Sequence, residues 1–201
     1  MSRFTTVSRA IDELRRGRLL IVVDAEDREN EGDLVGAARN IDPATVNFIL
    51  TEARGLLCAP ASPEIIERLE LPMMVAQNTS LHHTAFTVSV DAAGVTTTGI
   101  SASDRAATLR VLADPLTRPD GLLRPGHVFP LRAHPGGPSA RPGHTEAVVE
   151  LVRRAELGEV GVLAEILNAD GSMSRVPELE RLAERFDLQI LAISDLTESS
   201  G

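Results

Sequence analysis

The sequence predicts one α/β domain, a sandwich-like α/β (α+β) fold with a mixed sheet and flanking helices. Three observations carry this expectation. Segments with helical apolar spacing alternate along the chain with short apolar runs of strand length. The 201 residues suit one domain with a sizeable core and are marginal for two. No linker, composition shift or low-complexity tract divides the chain, so residues 1–201 read as a single domain.

Val7, Ile11 and Leu14 fall at i, i+4 and i+7, which predicts an amphipathic helix ending near Gly17. Leu19–Asp24 (LLIVVD) is then a short buried strand, and an acidic loop follows it directly. Asp42-Pro43 is an N-cap followed by an N1 proline, opening a helix whose apolar face carries Val46, Ile49 and Leu50. A strand is expected around Leu56–Ala59, and Ser62-Pro63 repeats the helix-start signal for a segment reaching about Leu71. Phe86, Val88 and Val90 alternate with Thr87 and Ser89, the pattern of a half-buried strand. Ser101 and Asp104 have capping-box spacing ahead of a helix running through Leu112. Residues 113–143 are rich in Pro, Gly and Arg, with a strand expected only at Val128–Leu131. Val148, Leu151, Val152 and Ala155 form a helical stripe that starts at His144-Thr145. Strand Val160–Leu167, helix Pro177–Phe186 and strand Leu188–Ile193 complete the alternation. Arg-Pro-Gly-His occurs at 124–127 and again at 141–144, and the echo reads as two tight turns each presenting an Arg and a His.

Composition excludes several function classes. The net charge of −9 repels a phosphate backbone over the whole surface, and five Phe with no Tyr or Trp leave no stacking platform, so nucleic acid is not an expected partner. No apolar stretch has membrane-spanning length, and the N-terminus has no signal-peptide core, so no membrane partner is expected and the expected location is cytoplasmic. A single cysteine rules out an intramolecular disulfide and a cysteine-rich metal site.

Chemistry concentrates in a few segments. Asp24–Asp33 (DAEDRENEGD) carries six carboxylates, Asp24, Glu26, Asp27, Glu29, Glu31 and Asp33, with Arg28 among them. A solvated surface loop is one reading. The other is a site: the run follows an apolar strand, where α/β proteins place binding loops. Positions 27, 29, 31 and 33 would share one face of an extended segment, and such crowding of hard oxygen ligands suits a magnesium ion. Arg28 is a natural phosphate or carboxylate clamp. In Arg141–Ala147 (RPGHTEA), Arg141, the Thr145 hydroxyl and the first-turn amides of a helix together make an anion site, and His144 beside it can complete a metal shell. Glu146 is either a catalytic carboxylate or a first-turn residue favourable to the helix dipole. Glu165 interrupts an apolar strand; it either turns to solvent or is a general acid/base with a raised pKa. His127 is a further proton-transfer candidate, and Cys58 reads as a core residue before a nucleophile.

Taken together, DAEDRENEGDL (24–34), GLLC (55–58), NTS (78–80), TAFTVSVDA (84–92), TGISASDRA (98–106), RPGHVFPLRA (124–133) and GHTEA (143–147) resemble the 3,4-dihydroxy-2-butanone 4-phosphate synthase family of riboflavin biosynthesis. The matching stretches stand in family order and span most of residues 19–193. The resemblance implies a homodimer with two magnesium ions per active site, manganese being the alternative ion. It implies a lyase that converts ribulose 5-phosphate to 3,4-dihydroxy-2-butanone 4-phosphate and formate. Carried over by position, it makes Glu29 and His144 metal ligands. Arg28, Glu29, Asp33, Glu165 and the segment Arg141, Pro142, Gly143, His144 and Thr145 become substrate contacts, with Arg141 and Thr145 on the phosphate. His127 and Glu165 become the residues essential for catalysis, and Asp24, Glu31 and Cys58 supporting residues. The chain departs from the usual pattern at His83, at an extra Thr in GVTTTGI (94–100), and at Pro138 and Pro142. The single Cys58 cannot supply the zinc site of a GTP cyclohydrolase II domain, which many relatives carry, so a monofunctional protein is expected.

Overall fold

A computed structural model of the chain describes residues 4–198. Among them, seven strands form one mixed sheet in the order β4 (Val90–Ala92), β5 (Leu122–Arg132), β3 (Cys58–Ala61), β6 (Gly161–Glu165), β2 (Gly32–Ala37), β1 (Leu20–Val23), β7 (Gln189–Ala192). Helix α1 (Val7–Arg15) ends as expected at Gly17, whose φ of +75° only glycine adopts without strain. Strand β1 (Leu20–Val23) pairs antiparallel with β2 (Gly32–Ala37) and parallel with β7 (Gln189–Ala192). Its four side chains are all buried because it has neighbours on both edges and helices on both faces.

Strand β2 was not expected. Its sequence, GDLVGA, has two glycines and follows the acidic run, so it reads as the tail of a loop. Yet it is central, buried, and antiparallel to both β1 and β6 (Gly161–Glu165). The glycines serve packing: a methyl on Gly36 would press into Leu19, and one on Gly32 into Leu179. The acidic segment is therefore a tight hairpin connection and not an extended strand. Arg28 N and Asn30 N both donate to the Ala25 carbonyl, and Glu26 and Asp27 turn out to solvent.

Helix α2 (Pro43–Glu52) is capped by Asp42, whose Oδ1 accepts from Thr45 N at 2.6 Å. Strand β3 (Cys58–Ala61) leads to α3 (Pro63–Arg68), capped by Ser62. The expected strand at Phe86–Val90 becomes β4 only at Val90–Ala92. Its facing is also inverted: Thr87 and Ser89 are buried while Phe86 and Val88 are half-buried. Thr87 can be buried because its hydroxyl donates to the Pro130 carbonyl. Ser101 caps α4 (Ala102–Ala113), but Asp104 does not close the box; its carboxylate takes Thr97 N, Thr97 Oγ1 and Gly99 N.

The stretch expected to be mostly irregular holds the longest strand, β5 (Leu122–Arg132). Its first half lies exposed, so it lacks the apolar signal of a strand. The first Arg-Pro-Gly-His is consequently not a turn. It lies within β5, where Gly126 packs directly on the Val90–Asp91 backbone at a register shift between the two strands. The second is a true turn, joining α5 (Gly137–Ala140) to α6 (His144–Arg154). Helix α7 (Val176–Phe186) and the terminal α8 (Ile193–Glu198) bracket β7.

Two apolar clusters cover the faces of the sheet. Residues of α2, α3, α4 and α7 pack on one face through Val46, Ile49, Ile66, Leu109 and Leu179. Residues of α1, α6 and α8 pack on the other through Leu14, Val148, Leu151 and Leu196. This is the layered α/β arrangement expected from the sequence. Among the described residues no helix is long and apolar enough to cross a membrane.

Candidate active site

The start of α6, the acidic hairpin, the first residues of β2 and the last of β6 meet at one pocket. Arg28, Glu29, Glu31, Asp33, Cys58, Arg141, His144, Thr145 and Glu165 line one pocket there. Thr84, Phe86, Leu131 and Leu163 complete its wall; their polarity gave no cue in the sequence, and only the chain path brings them in.

Asp24 organises the hairpin from beneath. Its buried carboxylate accepts from Glu29 N and Arg28 Nη1 through Oδ2 at 2.9 Å, and from Glu31 N through Oδ1 at 2.8 Å. Arg28 Nη1 also meets Glu29 Oε2 at 2.6 Å. Antiparallel pairing sets Asp33 directly beside Glu165, so two carboxylates from neighbouring strands enter the same space. Glu165 neither turns fully to solvent nor stands alone: its Oε2 accepts from Leu56 N at 2.9 Å.

Gly55 makes that contact possible. A methyl there would lie 2.6 Å from both Glu165 N and Oε2 and closer still to the Glu165 carbonyl oxygen. Gly55→Ala is expected to displace Glu165 and to cost about 1–3 kcal/mol of stability by overpacking against backbone, measurable by urea denaturation. A variant of wild-type stability would contradict that close approach.

His144 sits at the first position of α6, only 6% exposed. Its Nδ1 stands 3.5 Å from Glu29 Oε2, and its Nε2 stands 3.9 Å from Asp33 Oδ1. The latter two atoms are buried, and neither has a hydrogen-bond partner. Burial pulls the His144 pKa down, but Asp33, Glu29 and Asp24 outweigh it and raise the value to about 9. Burial pushes Glu29 up, yet His144 and Arg28 prevail and bring it to about 2. Asp33 is held up at about 7 by burial and by Glu165, Glu31 and Glu29, with His144 opposing. Glu31 is raised by burial and by Glu29 and Glu165. Cys58 lines the pocket as a buried free thiol, its pKa pushed up by burial and by Glu165 and Asp33.

The donor set fits a divalent cation. Among the described residues, Asp24, Glu29 and His144 offer ligand atoms within 4.8 Å of one another. The oxygens of Asp24 are already taken by two amides and Arg28, which leaves Glu29 and His144 as the available pair. The carboxylate oxygen of Glu29 is the ligand type that suits magnesium or manganese, and the His144 nitrogen stands beside it. The buried His144 Nε2 and Asp33 Oδ1 have no hydrogen-bond partner, and a cation at this point would give them one to share.

Arg141 and Thr145 flank the start of α6, where no side chain caps the first amides. Pro142 and Gly143 do not line the pocket; they form the turn that aims it. A methyl on Gly143 would fall 2.9 Å from Glu146 Oε2, 3.0 Å from Arg28 Nη2 and closer to Arg141 Nη1. Two guanidinium groups thus converge on one helix N-terminus, the arrangement expected of a phosphate seat.

His127 is not brought to this pocket. One row across the sheet holds Leu163, Cys58 and Phe129, and the next row on the same face holds Glu165 and His127. The two are separated by two strand spacings, about 10 Å of backbone. Asp91, which the sequence did not single out, clamps His127 there: its Oδ1 accepts from His127 N at 3.0 Å and its Oδ2 meets Nδ1 at 2.8 Å. Only the alternation in TVSVDA hinted that a carboxylate faced β5.

Residues 8–199 match the family model of 3,4-dihydroxy-2-butanone 4-phosphate synthase. The chain is 52% identical over 196 residues to the riboflavin biosynthesis protein RibBA of Synechocystis sp., covering 96% of this chain and 35% of that protein. It is 46% identical to the 3,4-dihydroxy-2-butanone 4-phosphate synthase of Neisseria meningitidis serogroup B, covering 98% of this chain and 54% of that one. The chain therefore spans about half the length, or less, of these relatives. A crystal structure of a 3,4-dihydroxy-2-butanone 4-phosphate synthase in complex with two magnesium ions superposes with a TM-score of 0.93 at 42% identity, covering 96% of this chain and 95% of that chain. The chain belongs to the 3,4-dihydroxy-2-butanone 4-phosphate synthase family.

Proposed function

We propose that this protein is a magnesium-dependent lyase of riboflavin biosynthesis that converts D-ribulose 5-phosphate to L-3,4-dihydroxy-2-butanone 4-phosphate and formate. The observation that carries the reading is the meeting, in one pocket, of a two-arginine phosphate seat and a carboxylate–imidazole cluster with two orphaned buried atoms. Glu29 and His144 would hold magnesium or manganese, two ions per site, whose positive charge would offset the negative charge developing on the sugar oxygens. Arg28, Arg141, Thr145 and the α6 amides hold the phosphate and fix the orientation of the sugar chain. Asp33, Glu31 and Glu165 crowd the reacting end, where removal of a proton next to the ketone starts the sequence. Asp33, poised near neutrality, can both give and take a proton there. The substrate atoms divide between the two products with no oxidant or reductant required.

A homodimer completes this reading. His127 is held by Asp91 outside the lining of its own pocket, and its side chain is 41% exposed. Exposed Leu56, Met73 and Met74 adjoin the pocket mouth: Met73 bridges Thr87, Met74 N donates to the Phe86 carbonyl, and Leu56 N to Glu165. A second copy packed on that apolar surface brings the partner subunit's His127 to the site. The expected setting is the cytoplasm.

Formate release from ribulose 5-phosphate with magnesium tests the reaction; inorganic phosphate as the sole product would replace it with a phosphatase. Metal binding carries its own pH signature. A metal ligand must be neutral imidazole, and His144 holds its proton up to about pH 9. Apparent metal affinity is therefore expected to rise by up to about tenfold per pH unit from neutrality to pH 9 and to level above it. Glu29, ionised above about pH 2, adds no slope in that window. Titration calorimetry at pH 7, 8 and 9 measures it, and a flat profile would remove His144 from the metal shell.

A further inference from the structure

Glu146 occupies the first turn of α6, where an acidic side chain ordinarily complements the helix dipole from solvent. Here it is buried, with its side chain 1% exposed, and both oxygens are engaged outside the helix. Oε2 meets Arg141 Nη1 at 2.6 Å, and Oε1 accepts from His134 N at 2.9 Å. One carboxylate therefore ties both ends of the excursion from His134 to Arg141, which includes α5. Arg141 is gripped from its other side as well: Nη2 donates to the His82 carbonyl at 3.0 Å and lies 3.4 Å from Thr84 Oγ1. The guanidinium is left with one orientation, beside Arg28 and over the α6 amides.

We propose that Glu146 is a positioning residue for the phosphate of the substrate, acting through Arg141. This rests on the lyase reading only for the identity of the phosphorylated ligand. Two physical effects of Glu146 oppose each other. Its negative charge stands near the anion seat and by Coulomb repulsion alone weakens anion binding. Its hydrogen bond removes the freedom of a long side chain that would otherwise be lost on binding, which strengthens it. A carboxylate already neutralised by Arg141 at 2.6 Å repels little at longer range, so positioning dominates. The sign of the effect of removing the charge therefore separates the two.

In the magnesium-loaded protein, Glu146→Gln is expected to raise KM for ribulose 5-phosphate about tenfold while kcat stays within about threefold, the split expected when binding shared by ground and transition states is lost. The Kd for inorganic phosphate, measured by calorimetry without turnover, is expected to rise in parallel. In the double variant Arg141→Gln/Glu146→Gln, phosphate is expected to bind no more weakly than in Arg141→Gln, because Glu146 then has nothing to position. Unchanged or tighter phosphate binding by a folded Glu146→Gln protein would overturn the proposal, as would a further loss in the double variant. If Glu146→Gln does not fold, the comparison of the double variant with Arg141→Gln decides alone, since the double variant removes both buried charges together. Failure of wild type to release formate would sink the lyase reading and leave the phosphate measurement standing.

Discussion

Glu29→Gln is expected to lower magnesium affinity and formate release by at least about 100-fold, the upper range seen when even a residue supporting a metal ligand is lost. Glu29 is the one pocket carboxylate that faces both His144 and Arg28, at 3.5 and 2.6 Å. An amide keeps its size and one oxygen but removes the charge that a hard cation needs. It also leaves Arg28 paired with Asp24 alone. The decisive measurement is the melting temperature with and without millimolar magnesium. An ion that binds only the folded state stabilises by about 2.7 kcal/mol at a hundred times its Kd. Wild type is expected to show that shift and Glu29→Gln to lose most of it. A variant that keeps the full magnesium-induced shift would show that the ion is held elsewhere.

Asp91→Asn is expected to lower kcat by about 10²- to 10⁴-fold with little change in KM for ribulose 5-phosphate. Asp91 touches no pocket atom; it holds His127 by both its backbone N–H and Nδ1. Ionised, it accepts the Nδ1 proton and leaves Nε2 as the free basic nitrogen. An asparagine amide can present its N–H to Nδ1 instead, which moves the proton to Nε2 and removes the base. Gly99 sits against this pair, and a methyl there would fall 2.5 Å from both Asp91 Cγ and His127 Nδ1, so the loop 94–100 seals it on one side. A near-wild-type kcat would exclude His127 as the proton-transfer group. Mixing inactive His127→Gln and Glu165→Gln proteins examines the dimer by the same chemistry. Subunit exchange restores one intact site in a mixed dimer if each pocket borrows the partner subunit's His127, whereas no recovery confines the site to one chain.

Much of the fold was legible because it follows from local rules. Asp42, Ser62 and Ser101 marked helix starts, Gly17 marked an end, and apolar runs marked β1 and, despite Glu165, β6. Strand β2 and the first half of β5 were not legible, because glycine, proline and charge there serve close approach and edge exposure. Those residues carry no periodic apolar signal, so only pairing reveals them.

The candidate site divides along the same line. By itself the sequence singled out the candidate residues: the acidic segment Asp24–Asp33, the Arg141–Thr145 segment ahead of a helix, Cys58, His127 and Glu165. Their identity and family order are local properties of the chain. Only the tertiary structure decided which of them meet. Antiparallel pairing of β2 with β6 sets Asp33 beside Glu165, and the α6 start brings His144 between Glu29 and Asp33. The same sheet order keeps His127 two strands away under the hold of Asp91, and it turns Glu146 from a helix-dipole residue into the partner of Arg141. The reason is physical: contacts between residues far apart in sequence depend on strand order and register, and those are set by burial over the whole sheet.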